Sequence, residues 1–372
     1  MQEYPWEIRP ELSSDAELIR ETIAAVADPD PAAREAAWRH WDSLCKPLRG
    51  FGRLEDMVVH LAGVQRTDRP ECKKRAAVIF GADNGVVAEG ISQTGSEVTA
   101  QVLDNMGNGI SSICVMSRML GMDVIPVNIG MNCDAFHPRV KNRPVRYGTW
   151  DIAEGPAMLE EECIRAIAEG IRIASECKDA GYELLIIGEM GIGNTTTSAA
   201  CASVLFGRDP AEMTGRGAGL SSEGLRHKTE VIRKALNVNG FQTGRQYKDP
   251  VAVLSRVGGL DIAGMTGCFL GGAAASMPVW IDGVISGIAA CFAAMLSQKT
   301  VSYMMATHAS AEPAGALIMQ RLGLTPVLYA GMHLGEGTGA AAVLPLLDQA
   351  LNVYYGLPCF DAGKVKAYRH LK

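Results

Sequence analysis

The sequence predicts an α/β protein built on a mostly parallel sheet, and three observations carry that expectation. Short apolar runs, such as Ala76-Ala77-Val78-Ile79-Phe80 and Leu184-Leu185-Ile186-Ile187, alternate with longer stretches at helical spacing. The polar clusters fall mostly at the ends of the strand-like runs, and parallel sheets bind ligands beyond the carboxyl ends of their strands. Of the 372 residues 48% are hydrophobic and only 6% aromatic, so the core is large and rests on small residues that let helices approach a sheet closely.

Charge and cysteine usage narrow the class. The net charge is −6 with no basic stripe, so no nucleic-acid partner is expected. Ten cysteines are scattered without a Cys-x-x-Cys pair, several inside apolar runs, which is the pattern of reduced thiols in a cytoplasmic protein. The start of the chain, Met1 to Trp6, is polar and lacks the apolar stretch of a signal peptide. Residues 262–296 are the one candidate for a membrane span. Pro278 and Asp282 interrupt them, and the expectation is two buried helices around a short strand, in a soluble protein.

Taken in order, residues Ser13 to about Gln65 read as helices. Ser13, Ser14 and Asp15 are capping residues, Asp28-Pro29-Asp30-Pro31 breaks the pattern, and it restarts at Ala32. Trp38, Trp41, Leu44 and Leu48 form a packing face. A buried strand, Ala76 to Phe80, ends in Gly81-Ala82-Asp83-Asn84-Gly85, and after a polar loop one helix is expected from Val98 to about Leu120, stopped by Gly121. Asp123 to Ile129 is the second strand, and its Pro126 argues for an edge or an irregularity. Asn132 to Glu154 is a long polar connection of the kind that is often functional. A helix over about Leu159 to Ala180 leads to the strand Leu184 to Ile187 and the turn that follows it.

That turn, Gly188-Glu189-Met190-Gly191-Ile192-Gly193-Asn194-Thr195-Thr196-Thr197, precedes a small-residue helix expected over Ser198 to Leu205. Strand, glycine turn and helix N-terminus together make a phosphate cradle, with backbone N–H groups and three hydroxyls at the positive end of the helix dipole. No Lys follows the second glycine, so this is not the loop of a triphosphate hydrolase. A second glycine turn, Thr214 to Leu220, enters a helix from Ser222 to Asn237 that carries His227 and Lys228. Then come a helix, the strand Val279 to Ile281, Asp282-Gly283, another helix, a strand-like run from Val301 to Ala306, and Thr307-His308-Ala309-Ser310. After a further helix and Pro326 to Tyr329, His333-Leu334-Gly335-Glu336-Gly337-Thr338-Gly339 leads to a final helix, about Ala340 to Tyr354.

Two glutamates, Glu189 and Glu336, sit in glycine settings that allow close substrate approach, as a general base requires. Asp282 follows a buried strand and is placed to anchor a hydroxyl or an N–H. Ser310 and Lys228 are candidate phosphate contacts, His308 is a weak candidate for nucleophilic catalysis, and no spacing of His, Cys and carboxylate matches a metal site. From the residues alone the chain is an α/β enzyme for a phosphorylated small molecule, working by carboxylate acid–base chemistry.

Several segments together resemble one family, the nicotinate-nucleotide–dimethylbenzimidazole phosphoribosyltransferases of cobalamin lower-ligand activation. The matching runs are Ala82 to Ser92, Glu97 to Gln101, Tyr147-Gly148-Thr149 with Gly155 to Met158, Gly188 to Thr197, Gly215-Arg216-Gly217, Asp282-Gly283, Ser310 to Pro313 and Leu334 to Ala340. The resemblance implies a Rossmann-like, mostly parallel sheet flanked by helices, residues 71–339. It implies a small helical domain from the chain ends, residues 1–70 plus 340–372, and a homodimer. It implies transfer of the phosphoribosyl group of nicotinate mononucleotide to a benzimidazole, giving an α-ribazole 5′-phosphate and nicotinate, with no cofactor and no metal. On the matching positions it implies Glu336 as base and Glu189 and Asp282 as supports. The phosphate would fall to Gly191, Gly193, Asn194, Thr195, Thr196, Gly215, Gly217, Lys228 and Ser310, and the base pocket to Ser92, Gln101 and Leu334. The chain differs from the commoner family pattern at Asn84, at Gln93-Thr94-Gly95, at Asp151 and at Ala314-Gly315. A related transferase for another acceptor, such as a phenol or adenine, and a non-catalytic nucleotide-binding subunit of a pair are the alternatives.

Overall fold

The computed structural model describes residues 14–133 and 137–368. The expectations placed on residues 1–13, on 134–136 within the long connection, and on 369–372 lie outside them.

The chain opens with helices α1 (Ser14–Ala25), α2 (Pro31–Ser43) and α3 (Arg53–Gln65), followed by strand β1 (Arg75–Ala82). Next come α4 (Glu97–Gly107), α5 (Ser112–Leu120), β2 (Met122–Gly130), β3 (Lys141–Asn142), α6 (Glu160–Asp179) and β4 (Leu184–Met190). The second half runs through α7 (Asn194–Phe206), α8 (Pro210–Met213), α9 (Ser222–Val238), α10 (Pro250–Val257), α11 (Leu260–Ala274) and β5 (Val279–Ile281). It ends with α12 (Val284–Leu296), β6 (Met304–Ala306), α13 (Gly315–Leu322), α14 (Thr338–Ala341), α15 (Leu344–Gly356) and α16 (Phe360–Gly363).

The strands form one sheet in the order β3-β2-β1-β4-β5-β6, with every pair parallel. This is the doubly wound order, whose chain direction across the sheet reverses between β1 and β4. Alternate residues of each strand enter different apolar clusters. Val78, Phe80, Leu185 and Ile187 face α6, α7, α11 and α12, whereas Ala77, Ile79, Leu184 and Ile186 face Trp41, Leu61, Leu347 and Tyr354 of α2, α3 and α15. Helix α1 lies on the first of these faces, with Ala16 and Ile19 in the cluster that α6 and α11 share. The glycines of α11 are explained by its packing: a methyl on Gly267 would collide with the Ile167 carbonyl of α6, so the two helices touch backbone to backbone.

Local chemistry sets most element ends. Asp30 caps α2 by accepting from the Ala32 N–H at 2.8 Å, and Pro31 supplies a first helical position that needs no N–H. Gly121, in a left-handed conformation at φ 55°, closes α5. Six expectations need correction. The helix expected over 98–120 is two, because Gly109 at φ 76° ends α4 and Ser111 starts α5 in an extended conformation. Helix α2 ends at Ser43, so Leu48 lies in the turn beyond it. Strand β4 continues to Met190, since Gly81 of β1 pairs with it, and α7 begins at Asn194 rather than Ser198. The run Val301 to Ala306 is half 3₁₀ helix, with only Met304–Ala306 in the sheet. The last helix is broken near Ala342, where Pro345 cannot donate to the preceding turn, and α16 follows it. Pro126 does sit at a near-edge position, since β3 pairs only with Val127 and Asn128. No helix among the described residues is long and apolar enough to cross a membrane.

Candidate active site

The reversal of chain direction between β1 and β4 brings two polar turns side by side. The register that pairs Phe80 with Glu189 and Gly81 with Met190 sets Asp83-Asn84 next to Gly191-Ile192. The Asn84 amide donates to the Ile192 carbonyl at 3.3 Å, and the Ile192 N–H donates to Thr99 Oγ1 of α4 at 3.1 Å. The Tyr147-Gly148-Thr149 run braces the same turn, with Gly85 N–H donating to Thr149 Oγ1 at 3.1 Å and Thr149 N–H to the Asp83 carbonyl at 3.0 Å. Asp151 Oδ1 accepts from the Ala153 N–H at 2.9 Å, a local turn bond that an Asn would also make.

The third turn comes from far along the chain. A methyl on Gly188 would sit 2.7 Å from the backbone N of Gly337, so the two glycine-glutamate motifs are in contact. Asp282, at the end of β5, accepts from the Gly337 N–H at 3.1 Å and the Ala340 N–H at 2.9 Å, capping α14 and fixing the loop that carries Glu336. Gly335, Glu336 and Gly337 all lie in the left-handed region, at φ 91°, 59° and 78°. That conformation is unstrained for the two glycines and strained for Glu336, and such strain clusters at working sites. The Ile113 N–H at the start of α5 favours the charged form of Glu336, whose Oε2 is buried with no hydrogen-bond partner. Burial, then the charge of Asp282, pushes its carboxyl above the ordinary range. His308 packs its ring against Gly339 and shares a buried position with Asp282, so it braces the loop. Burial depresses the imidazole of His308 and raises the carboxyl of Asp282, and each is partly offset by the other's charge.

Behind Glu336 lies a buried acid network. Asn194 donates its amide to both Glu189 and Asp261. Burial, then the neighbouring Asp261 charge, pushes Glu189 up to about 8, and burial raises Asp261 to about 6. Glu189 therefore holds its proton at neutral pH, with Oε1 turned toward Gly335, where an added methyl would lie 2.5 Å away. Burial also raises Asp83, whose Oδ2 accepts from the Asn132 N–H at 2.7 Å.

The cradle proper is a second cluster. The three hydroxyls of Thr195, Thr196 and Thr197 are divided: Thr197 donates to the Asn194 carbonyl at 3.0 Å, Thr196 Oγ1 is buried without a partner, and Thr195 accepts from Lys228 Nζ at 2.8 Å. Lys228 also reaches the Gly215 carbonyl at 3.4 Å, and a methyl on Gly217 would meet Thr195 Oγ1 at 2.9 Å. Lys228 is 1% exposed, and burial lowers its ammonium to about 8, a fall that the nearby Glu312 charge partly opposes. A methyl on Gly215 would run into the Glu312 carboxylate, and Glu312 N–H donates to Ser310 Oγ at 3.3 Å, so Ser310 stands at the rim of this cluster. A buried ammonium whose direct hydrogen bonds go to a hydroxyl and a carbonyl is a poor arrangement for the empty protein and a good one for an anion.

The structure thus joins Thr195, Gly215, Gly217 and Lys228 in one cluster with Ser310 at its rim, and sets Gly191 and Asn194 against the acid network of Glu189 and Asp261, next to the Glu336 loop that Asp282 holds. Ser92 is half-buried in the turn after β1, Gln101 is exposed on α4, and Leu334 is 57% exposed before Gly335. No hydrogen bond among the described residues ties these three together. Asp261, Glu312 and the Ile113 N–H were not singled out from the sequence. Gly258-Gly259 ahead of Asp261 was the available signal for that residue, Glu312 sat inside the matching run Ser310 to Pro313, and the Ile113 N–H had none. A cavity of about 500 Å³ lies elsewhere, between α1, α7 and α12, and none of the site residues lines it.

A family model described as a phosphoribosyltransferase matches residues 26–365. Nicotinate-nucleotide–dimethylbenzimidazole phosphoribosyltransferase from Ruminiclostridium cellulolyticum is 43% identical over 95% of this chain and 99% of its own length. Its counterpart from Acetivibrio thermocellus is 41% identical over 95% and 99%. The crystal structure of CobT from Thermus thermophilus superposes with a TM-score of 0.85 at 35% identity, covering 91% of this chain and all of that one.

Proposed function

The chain belongs to the nicotinate-nucleotide–dimethylbenzimidazole phosphoribosyltransferase family, and on that premise we propose a role for each group of its site. The enzyme converts nicotinate mononucleotide and 5,6-dimethylbenzimidazole to α-ribazole 5′-phosphate and nicotinate. The bond between the nicotinate nitrogen and ribose C1′ breaks, and its electron pair neutralises the pyridinium, so the leaving group needs no acid. A benzimidazole nitrogen attacks C1′ from the opposite face, which inverts the anomeric configuration. The azole N–H proton passes to Glu336.

The observation that carries this reading is Glu336 itself. It is held in a strained left-handed conformation between two glycines, and its buried Oε2 has no partner of its own. A carboxylate raised by burial is a stronger base than one in water, and here one base suffices. Lys228, with Thr195 and the Gly191-Ile192-Gly193 turn at the start of α7, takes the 5′-phosphate, which adds a direct counter-charge to the partial one of Glu312. Asp282 fixes the Glu336 loop, and protonated Glu189 donates toward the substrate side of Gly335. Ser92, Gln101 and Leu334 border the entering base.

In the small helical domain of residues 1–70 plus 340–372, α2, α3 and α15 close one face of the sheet, while α1 packs on the other. The enzyme works in the cytoplasm as a homodimer: no disulfide joins cysteines among the described residues, and Ile110, Val115 and Met119 leave an apolar surface on and beside α5 for a second copy. Incubation with nicotinate mononucleotide and a panel of bases, including dimethylbenzimidazole, a phenol and adenine, tests the reading by nicotinate release. Absence of release with every base would sink it.

A further inference from the structure

The segment that carries Ser92 is joined to the phosphate cradle by a set of contacts that the chemistry above does not use. Gln93 Nε2 donates to the Gly219 carbonyl at 2.6 Å and lies 3.4 Å from that of Ala218. Four residues earlier, the Glu89 carbonyl lies 2.6 Å from His227 Nε2, and the Glu89 carboxylate pairs with Lys234 Nζ at 2.7 Å. His227 and Lys234 both stand on α9, the helix that carries Lys228. One helix thus holds the base-side segment through His227 and the phosphate cradle through the neighbouring Lys228.

The glycine turn between them is braced by its own hydrogen bonds. Arg216 closes it on itself, donating to the Leu220 carbonyl at 2.7 Å and to Ser222 Oγ at 3.0 Å, while its own carbonyl accepts from the Gly219 N–H at 3.2 Å. One end of this braced turn presents the Gly219 carbonyl to Gln93. The other end presents Gly215 and Gly217 to Lys228 and Thr195. The two ends are therefore connected through a turn that is hydrogen-bonded internally and enters the helix that carries His227 and Lys228.

We propose that Gln93 and His227 are positioning residues that fasten the base-side segment, residues 89–93, to the phosphate-side turn, residues 215–219, so that the base and the nucleotide phosphate bind cooperatively. This rests on the functional reading above. Each substrate that orders its own end lowers the cost of ordering the other. Neither residue touches the reacting atoms, so the latch acts on binding and leaves the chemical step alone.

The test is an initial-velocity grid over both substrates for the parent enzyme and for Gln93→Ala, Gln93→Glu, Gln93→Lys and His227→Ala. In the parent, the KM for each substrate falls as the other is raised. An exposed hydrogen bond of this kind corresponds to about a three- to tenfold change in an equilibrium constant. Gln93→Ala, Gln93→Glu and His227→Ala should raise both KM values by about that factor, hold kcat within about twofold, and weaken the mutual dependence. The carboxylate of Gln93→Glu cannot donate to a carbonyl, whereas Gln93→Lys can and should restore most of the parental behaviour. Both positions are exposed, and unchanged melting temperatures confirm that the variants fold. Unchanged KM values, a change in only one of them, or a fall in kcat alone would overturn the latch while the enzyme still turns over. A parent that releases no nicotinate with any base would overturn the functional reading and the latch together.

Discussion

Replacing Lys228 by Met should stabilise the empty enzyme and destroy nucleotide binding, two effects that pull apart what a purely structural lysine would keep together. Burial lowers the ammonium from 10.5 to about 8. Below about pH 8 the side chain is charged in both the folded and unfolded chains, and the folded state bears the full cost of burying it. Between about pH 8 and 10.5 the folded form sheds its proton first, and the cost disappears. At about 1.4 kcal/mol per pH unit the cost at neutral pH is about 3 kcal/mol. For a chain of this length that corresponds to about 4 °C in melting temperature, less what the bonds to Thr195 and Gly215 return. Lys228→Met should therefore melt higher than the parent at pH 7, and the difference should shrink as the pH approaches 10. Calorimetry with nicotinate mononucleotide should show a loss of about 10- to 100-fold in affinity, the size of a charge-assisted bond. In the parent at pH 8, binding should take up about half a proton, visible as a dependence on buffer ionisation enthalpy, because phosphate restores the charge. A variant that melts lower at every pH and still binds the nucleotide would refute the reasoning.

Other consequences follow from the same geometry. Asp282→Asn loses an acceptor for the Gly337 and Ala340 N–H groups, about 1 kcal/mol of capping. It also removes a charge that raises Glu336, so the acid limb of its pH–rate profile should move to lower pH. In the parent, that limb should lie above the ordinary carboxylate value of 4.5, since Glu336 works ionised and its folded pKa is raised. Gly335→Ala must adopt φ 91° and set a methyl against Glu189 Oε1, so denaturant titration should show a loss of about 2 kcal/mol, together with lost turnover. Glu189 keeps a proton in the folded state that the unfolded chain releases, so its contribution to stability is complete below about pH 4.5 and is lost as pH rises through about 8. Glu189→Gln should accordingly gain melting temperature relative to the parent as the pH is raised from 5 to 8.

The strands and their glycine turns were legible because both are local. An apolar run of buried-strand length ending in Gly81 to Gly85 or Gly188 to Gly193 needs no tertiary information. The break between α4 and α5 was missed although Asn108-Gly109 is a turn dipeptide, and Gly109 takes φ 76° there. The identity of the base, Glu336, came from its setting between glycines together with the family resemblance. The reason for that setting, contact between Gly188 and Gly337, joins positions 149 apart in sequence and could not be read from either alone. Asn194 illustrates the limit of motif reasoning. Its place in the cradle implied a phosphate contact, yet its amide is committed to Glu189 and Asp261, and Asp261 comes from a helix that drew attention only as an apolar run. Lys228 was a phosphate candidate by its place after the second glycine turn, and its burial against Thr195 adds the physical reason an anion would suit it.

The central claim is that Glu336 receives the azole proton while the nucleotide is seated by other residues. The direct measurement is kcat for Glu336→Gln with dimethylbenzimidazole, alongside its calorimetric affinity for nicotinate mononucleotide. The kcat should fall about 100-fold or more with the nucleotide affinity unchanged. Turnover near the parental rate would contradict it.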